Sequence, residues 1–344
     1  MSKKINVVVI GCSMMGEFHM KGVLAKENAN LYAICDPATD GRLEECKKKY
    51  NVDIAVTDYR ELVNDPNVDA AAIVTPDFLH LEMTTAFLKA GKHVLCEKPM
   101  ALFLDECEEM MRVEKETGKK LMIGQVCRCT PAFIQAKEIV ASGRIGELYF
   151  VESEYAHDYG LSPGYNRWRV DPRREGFIGG GCHAVDLLRW IAGNPTEVFA
   201  YATHKCLTDW PVNDSTIGIY KFPNNVAGKI FVSIGCKRNY TMRTVLYGTK
   251  GTLICDNTSK EMTIFEGFDL LENGKPQYTQ GKAIPVEVNN HNIVAEIDAF
   301  VDAIVNDTPV PVSSMEGAST VAVCRATVEA AASGQLTQIK YPEV

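Results

Sequence analysis

The chain lacks several features that would have narrowed its function early. No apolar run approaches the ~18 residues that a membrane-spanning helix needs, and there is no C-x-x-C pair, internal repeat or low-complexity tract. An excess of positive charge is also missing: 36 basic residues face 44 acidic ones, for a formal net charge of -8. Nucleic acid and anionic membrane surfaces are therefore not expected as partners. The short basic cluster Lys47-Lys48-Lys49 reads as a solvated helix face. Cys127-x-Cys129 has no further ligands at zinc spacing, so no metal site is expected. The opening Met-Ser-Lys-Lys-Ile carries no secretory pattern and leads into a strand. The 12 cysteines are scattered, several within apolar runs as buried thiols are. This usage implies a reduced, cytoplasmic setting rather than a disulfide framework.

What is present begins at Ile5. Ile5 to Ile10 is a short β-branched run ending in glycine, as a buried parallel strand does. Gly11 then permits a tight turn, and Gly16 lets the following helix pack close to that strand. A second apolar run ends at Asp36, about 20 residues on, the spacing of a first βαβ dinucleotide-binding unit. There the pyrophosphate lies on the helix N-terminus, here Ser13, Met14 and Met15, and the acid holds the ribose hydroxyls. Ser13 stands where the fingerprint has its middle glycine; its hydroxyl can donate to a phosphate oxygen. Asp36 would repel a 2′-phosphate, which favours NAD over NADP, although Arg42 lies close enough in sequence to keep NADP open.

Helices and strands alternate onward from Asp36. Strands are predicted at Val52 to Val56, Asp69 to Thr75, His93 to Cys96 and Leu121 to Val126, with helices at Gly41 to Tyr50, Tyr59 to Asn64, Leu79 to Ala90 and Leu104 to Thr117. With the first two strands this predicts an N-terminal Rossmann domain, a doubly wound parallel sheet, over residues 1–124. Gly11, Asp36, Thr75, Pro76, Glu97 and Lys98 all fall at strand C-termini, where such a sheet binds ligands. Residues 125–344 read as a C-terminal α+β domain with one open, mostly antiparallel sheet, its strands running from about Glu147 to Phe265. Helices are predicted at Pro131 to Ser142, His183 to Ala192, Asn292 to Val305 and Glu316 to Ala332.

These residues together resemble the family named after glucose-fructose oxidoreductase, inositol 2-dehydrogenase and MocA. The resemblance rests on the N-terminal fingerprint, Thr75-Pro76 with His80, Glu97-Lys98-Pro99, Pro131 to Gly146, Trp168-Arg169 with Asp171-Pro172, His183-x-x-Asp186, Gly248-Thr-x-Gly251-Thr, and Phe300-x-Asp-Ala-Ile with Pro311-Val-Ser. It implies NAD(P)-linked oxidation or reduction of a sugar, glycoside or cyclitol, and a homodimer or homotetramer built through the C-terminal sheet. It also adds His80 to the residues expected around the cofactor.

Alcohol oxidation needs a hydride acceptor and a base for the hydroxyl proton. His183 is the candidate base: histidine is poised near neutral pH, this one opens a helix after Gly179-Gly180-Gly181, and it matches the family's acid/base histidine. In the family the lysine of Glu-Lys-Pro hydrogen-bonds the reacting hydroxyl, a role that falls on Lys98, with Glu97 positioning Lys98 or the nicotinamide. Many members carry an aspartate where this chain has Gly179; Asp186 or Asp158 is the expected substitute for orienting His183. Tyr155, His157, Tyr159, Trp168 and Arg169 offer aromatic faces and polar groups suited to a sugar, and Arg128 matches a family arginine near the site. Two other readings share the scaffold: cleavage of a glycoside by transient NAD redox and elimination, and a non-catalytic NAD-responsive regulator, against which the presence of both Lys98 and His183 counts.

Overall fold

The computed structural model describes residues 4–343; the opening residues 1–3, where the first strand was expected to be entered, lie outside it, as does residue 344. In chain order the elements are β1 (Ile5–Ile10), α1 (Met14–Ala25), β2 (Ala29–Cys35), α2 (Arg42–Tyr50), β3 (Ile54–Val56), α3 (Arg60–Val63), β4 (Ala70–Ile73), α4 (His80–Lys89), β5 (His93–Glu97), α5 (Leu104–Thr117) and β6 (Leu121–Gly124). Then follow α6 (Pro131–Ala141), β7 (Leu148–Ala156), α7 (Gly176–Gly179), α8 (Cys182–Ala192), β8 (Glu197–Thr203), β9 (Ser215–Phe222), β10 (Val226–Ser233), β11 (Arg243–Gly248), β12 (Gly251–Asp256), β13 (Glu261–Glu266), β14 (Phe268–Leu270), β15 (Pro276–Tyr278), β16 (Lys282–Pro285), α9 (Ile293–Val305), α10 (Ser314–Ser333) and β17 (Thr337–Gln338).

The chain divides into two compact units. The first runs up to Val126 and takes back Asn292–Val321. Its sheet is parallel throughout, in the order β3-β2-β1-β4-β5-β6 of a Rossmann fold. The central strands are apolar on both faces because helices cover both: Val7, Val8, Val9, Ala70, Ala71, Ala72 and Ile73 have no exposed surface. The sequence predicts one crossing between domains, at 124/125. The chain instead returns, because α9 carries an apolar face, Ile293, Ile297, Phe300 and Val301, that is buried in the same core as β1 and α1. Gly22 of α1 allows the close approach: a Cβ there would lie 2.9 Å from Ile297 Cγ1.

The second unit holds Cys127–His291 and Ala322–Tyr341. Its nine-stranded sheet has the order β16-β13-β12-β11-β7-β10-β9-β8-β17. Only β7 and β10 pair in parallel; the other neighbours are antiparallel. Alternation decides the faces. In β9, Thr216, Gly218, Tyr220 and Phe222 are buried while Ile219 is 57% exposed. The small elements β14 to β17 and α7 were not predicted. They are short, and β14 and β15 are exposed at every position, so no periodicity marks them.

Candidate functional site

In the first unit the β1–α1 turn forms a backbone cradle. Gly11 sits at φ 111°, and a Cβ on it would fall 2.4 Å from the Val74 carbonyl oxygen. A Cβ on Gly16 would fall 1.9 Å from the Gly11 oxygen, so neither glycine can take a side chain without moving backbone. Ser13 is extended, exposed and makes no side-chain capping bond, and Met14 beside it is 70% exposed. The Asp36 carboxylate ends β2, held by the backbone N–H of Cys12 at 2.7 Å and of Ala38 at 2.8 Å. Arg42 lies on Asp40, with Nε 2.8 Å from Oδ1. Thr75, just beyond β4, has a buried hydroxyl with no hydrogen-bond partner.

These observations fit a dinucleotide: close backbone approach at two glycines, an uncapped helix start for the pyrophosphate, an acid for ribose and an orphaned hydroxyl beside the same strand ends. Gly11, Ser13, Met14, Met15, Gly16, Asp36, Thr75 and Pro76 would hold it. His80 has another task. It is 1% exposed, and both ring nitrogens face carbonyl oxygens, Pro99 at 2.9 Å and Thr75 at 3.1 Å. Burial opposes its charge, but Cys96, Asp77 and the Pro99 carbonyl outweigh that and raise its pKa to about 9. With its ring nitrogens on these two carbonyls, His80 ties the Thr75 and Pro99 segments together.

At the end of β5, Glu97 is 6% exposed. It receives the Lys98 backbone N–H at 3.1 Å and faces His19 Nε2 at 2.8 Å. The Lys98–Pro99 bond is cis.

In the second unit His183 lies in the first turn of α8, 2% exposed. The two expected aspartates each hold a cation. Asp186 takes a two-pronged bond from Arg128, Nε to Oδ2 at 2.8 Å and Nη2 to Oδ1 at 2.7 Å. Asp158 pairs with Lys237 at 2.7 Å. The partner on His183 Nδ1 is the Cys127 sulfur, at 3.3 Å. Tyr155 stacks on the imidazole with ring centres 6.0 Å apart and a 21° tilt, and His291 lies 5.4 Å away. Tyr155 OH meets His157 Nδ1 and Tyr159 OH, each at 3.1 Å. Burial raises the Tyr155 hydroxyl well above its usual range, so it stays a donor. Tyr240 completes the cluster, 5.3 Å from the Tyr155 ring and 3.0 Å from His291 Nε2. Tyr240 and His291 are marked by no motif in the sequence, and Cys127 is considered there only as a zinc ligand.

The glycine run has a packing reason. A Cβ on Gly180 would lie 2.4 Å from Tyr155, and one on Gly179 would lie 2.2 Å from the Arg174 guanidinium carbon. The space of the family aspartate thus holds a buried arginine. Its guanidinium stacks 4.7 Å from Trp168 and 5.7 Å from Tyr159. Arg169 also lies 4.7 Å over Trp168. Trp168 therefore carries a cation on each of two contacts rather than an open face.

The fold and these residues define a nicotinamide-dependent oxidoreductase. Residues 5–125 match the family model described as an oxidoreductase family with an NAD-binding Rossmann fold, and residues 133–254 match the GFO/IDH/MocA C-terminal domain. The chain belongs to this Gfo/Idh/MocA oxidoreductase family. It is 31% identical to myo-inositol 2-dehydrogenase of Thermotoga maritima over 265 residues, 76% of this chain and 77% of that one. It is also 31% identical to 1,5-anhydro-D-fructose reductase of Ensifer adhaerens over 293 residues, 83% of this chain and 84% of that one. A solved levoglucosan dehydrogenase in complex with NADH shares the fold, with TM-score 0.87, 22% identity, and coverage of 99% of this chain and 100% of that one. Among the described residues no helix is long and apolar enough to cross a membrane.

Proposed function

We propose that the protein transfers hydride between NAD and a secondary alcohol of a sugar, glycoside or cyclitol. The observation that carries this reading is the 31% identity to two enzymes named for a cyclitol and a sugar derivative, each over most of this chain. NAD, when bound, supplies the hydride acceptor. In oxidation the carbinol C–H bond and the O–H bond break and a carbonyl forms. Lys98 donates a hydrogen bond to the reacting oxygen, lowering the cost of its developing charge. His183 accepts the proton through Nε2. Cys127 orients the ring by taking the Nδ1–H, as the 3.3 Å contact suggests. Arg128, held on Asp186, and Tyr155, His157, Tyr159, Trp168 and Arg169 are read as the surroundings of the sugar; Gly11, Ser13, Met14, Met15, Gly16, Asp36, Thr75, Pro76 and Glu97 are read as the cofactor's. We further propose the cytoplasm as the setting and a homodimer or homotetramer assembled through the open sheet face. There Ile219 and Tyr201 stand 57% and 66% exposed. Light scattering on a sizing column tests the oligomer.

The function is tested by incubating the protein with NAD and a panel of sugars, glycosides and inositols while following NADH and product masses. Lys98→Ala and His183→Ala are expected to abolish turnover and leave NAD binding intact. Near-wild-type turnover in both would overturn the assignment. Release of aglycone without net NADH would favour the elimination chemistry instead.

A further inference from the structure

Three ionisable side chains of the first unit meet in its core. His19, Glu97 and Glu296 are 0%, 6% and 0% exposed. They arrive from α1, the end of β5 and α9. The close crossing of α1 and α9 brings them together: His19 lies one turn before Gly22, and Glu296 directly precedes Ile297, the residue that Gly22 admits. One ligand atom from each lies within 4.8 Å of the others. His19 Nε2 faces Glu97 Oε1 at 2.8 Å, and Glu97 Oε2 accepts the Lys98 backbone N–H at 3.1 Å. Both Glu296 oxygens and His19 Nδ1 are buried without a hydrogen bond. A buried carboxyl without a partner is costly, and apolar residues of the same size would pack there at no such cost.

We propose that His19 and Glu296 are positioning residues for Lys98: from α1 and α9 they fix the Glu97 carboxylate, and Glu97 in turn fixes the start of the Lys98-Pro99 segment. This rests on the role given to Lys98 above. The groups facing Glu296 are His19 from α1, and Glu97 and Lys98 from the end of β5. Glu97 already carries a negative charge, and a second anion so close to it in an apolar surrounding is disfavoured by burial and by that charge, which Lys98 only partly offsets. Glu296 is therefore the neutral acid of the group, within 4.8 Å of the His19–Glu97 pair. Burial first, and then the Glu97 charge, hold Glu296 well above the usual carboxyl range. Glu97 goes the other way. Burial raises it, but the His19 hydrogen bond and charge and the Lys98 charge outweigh burial and bring it to about 2.

A nitrogen and two carboxylate oxygens at these distances are also the donor set of a divalent cation. A bound cation would need both carboxylates ionised, so the two occupants are separable. The test uses the full-length protein. Metal content is measured as purified and again after incubation with zinc and desalting, and infrared spectra are recorded at neutral pH for wild type and Glu296→Gln. A protonated-carboxyl band present in wild type and lost in Glu296→Gln, with no stoichiometric metal, is expected. Turnover is then measured with NAD and the most active polyol of the panel. Glu296→Gln, which keeps the neutral shape, should stay within about 2-fold of wild type, while Glu296→Ala should lower kcat about tenfold with KM for NAD within about 2-fold. A purely structural role would instead lower the melting temperature and leave kcat of the folded protein unchanged. If Glu296→Ala does not fold, Glu296→Met takes its place. Stoichiometric zinc, an absent band, or Glu296→Gln as impaired as Glu296→Ala would overturn the proposal. Full turnover by Lys98→Ala, with the band still present, would place the failure in the role of Lys98 instead.

Discussion

The Cys127 sulfur lies 3.3 Å from Nδ1 of His183, and both residues are buried. This contact occupies the ring nitrogen that an aspartate orients in many histidine bases. A thiol is a weaker partner than a carboxylate, so it holds the ring while contributing less to its basicity. Cys127→Ala should lower kcat by about 3- to 10-fold and shift the pH profile of kcat/KM, while Cys127→Ser should stay within about threefold, because only the alanine removes the hydrogen-bonding group. Identical pH profiles for all three proteins would remove Cys127 from the mechanism.

Asp36 should set the cofactor preference. Its carboxylate is fixed by two backbone N–H groups, and a 2′-phosphate beside it would meet like charge. Asp36→Ser is expected to raise KM for NAD about tenfold, roughly 1.4 kcal/mol, and to narrow the preference over NADP. Parallel titrations with both cofactors measure it.

Glu296 should leave a mark on the pH dependence of stability. Its folded pKa stands well above its ordinary value of 4.5. A raised carboxyl contributes stability that is fully present below 4.5 and is lost as pH rises toward the folded pKa. Glu296→Gln removes that dependence, so its melting temperature relative to wild type should rise as pH goes from 4.5 to neutral. Glu97 works in the opposite window: its stabilisation is present above 4.5 and lost as pH falls toward 2. Melting curves from acid to neutral pH resolve the two.

Arg128 and Asp186 are 9% and 0% exposed at the side chain. Arg128→Ala removes a two-pronged partner from a buried carboxylate that keeps Arg189 Nη1 at 3.8 Å, and should cost about 1–3 kcal/mol in denaturant unfolding. Arg128→Lys should recover little, because an ammonium cannot make both bonds at once. Full recovery by lysine would show that charge alone matters here.

Much of the fold could be read in advance because its signals are local. The strands of the first sheet are unbroken apolar runs ending at Gly11, Asp36 and Pro76, and helix ends such as Gly118 announce themselves. Ser215–Phe222 alternates strictly between more and less buried positions, a local signal of a half-covered strand. What escaped depends on contacts between distant parts of the chain. His19 and Glu296 each look like an ordinary helix residue until α9 crosses α1. Asp186 sits on the expected face of its helix, yet Arg128 claims it. Cys127 belongs to no motif, and only folding sets it against His183. The return of α9 to the first unit is hidden for the same reason: α9 and β1 share a core that sequence order conceals.

The return of α9 has a consequence for biosynthesis. A nascent polypeptide that has emerged as far as His291 already holds all six strands of the nucleotide sheet, yet lacks the helix that belongs over Met20 and Val23. The first half to be translated is thus among the last to be finished, and until Asn292–Val321 leaves the ribosome it must wait with an apolar flank uncovered.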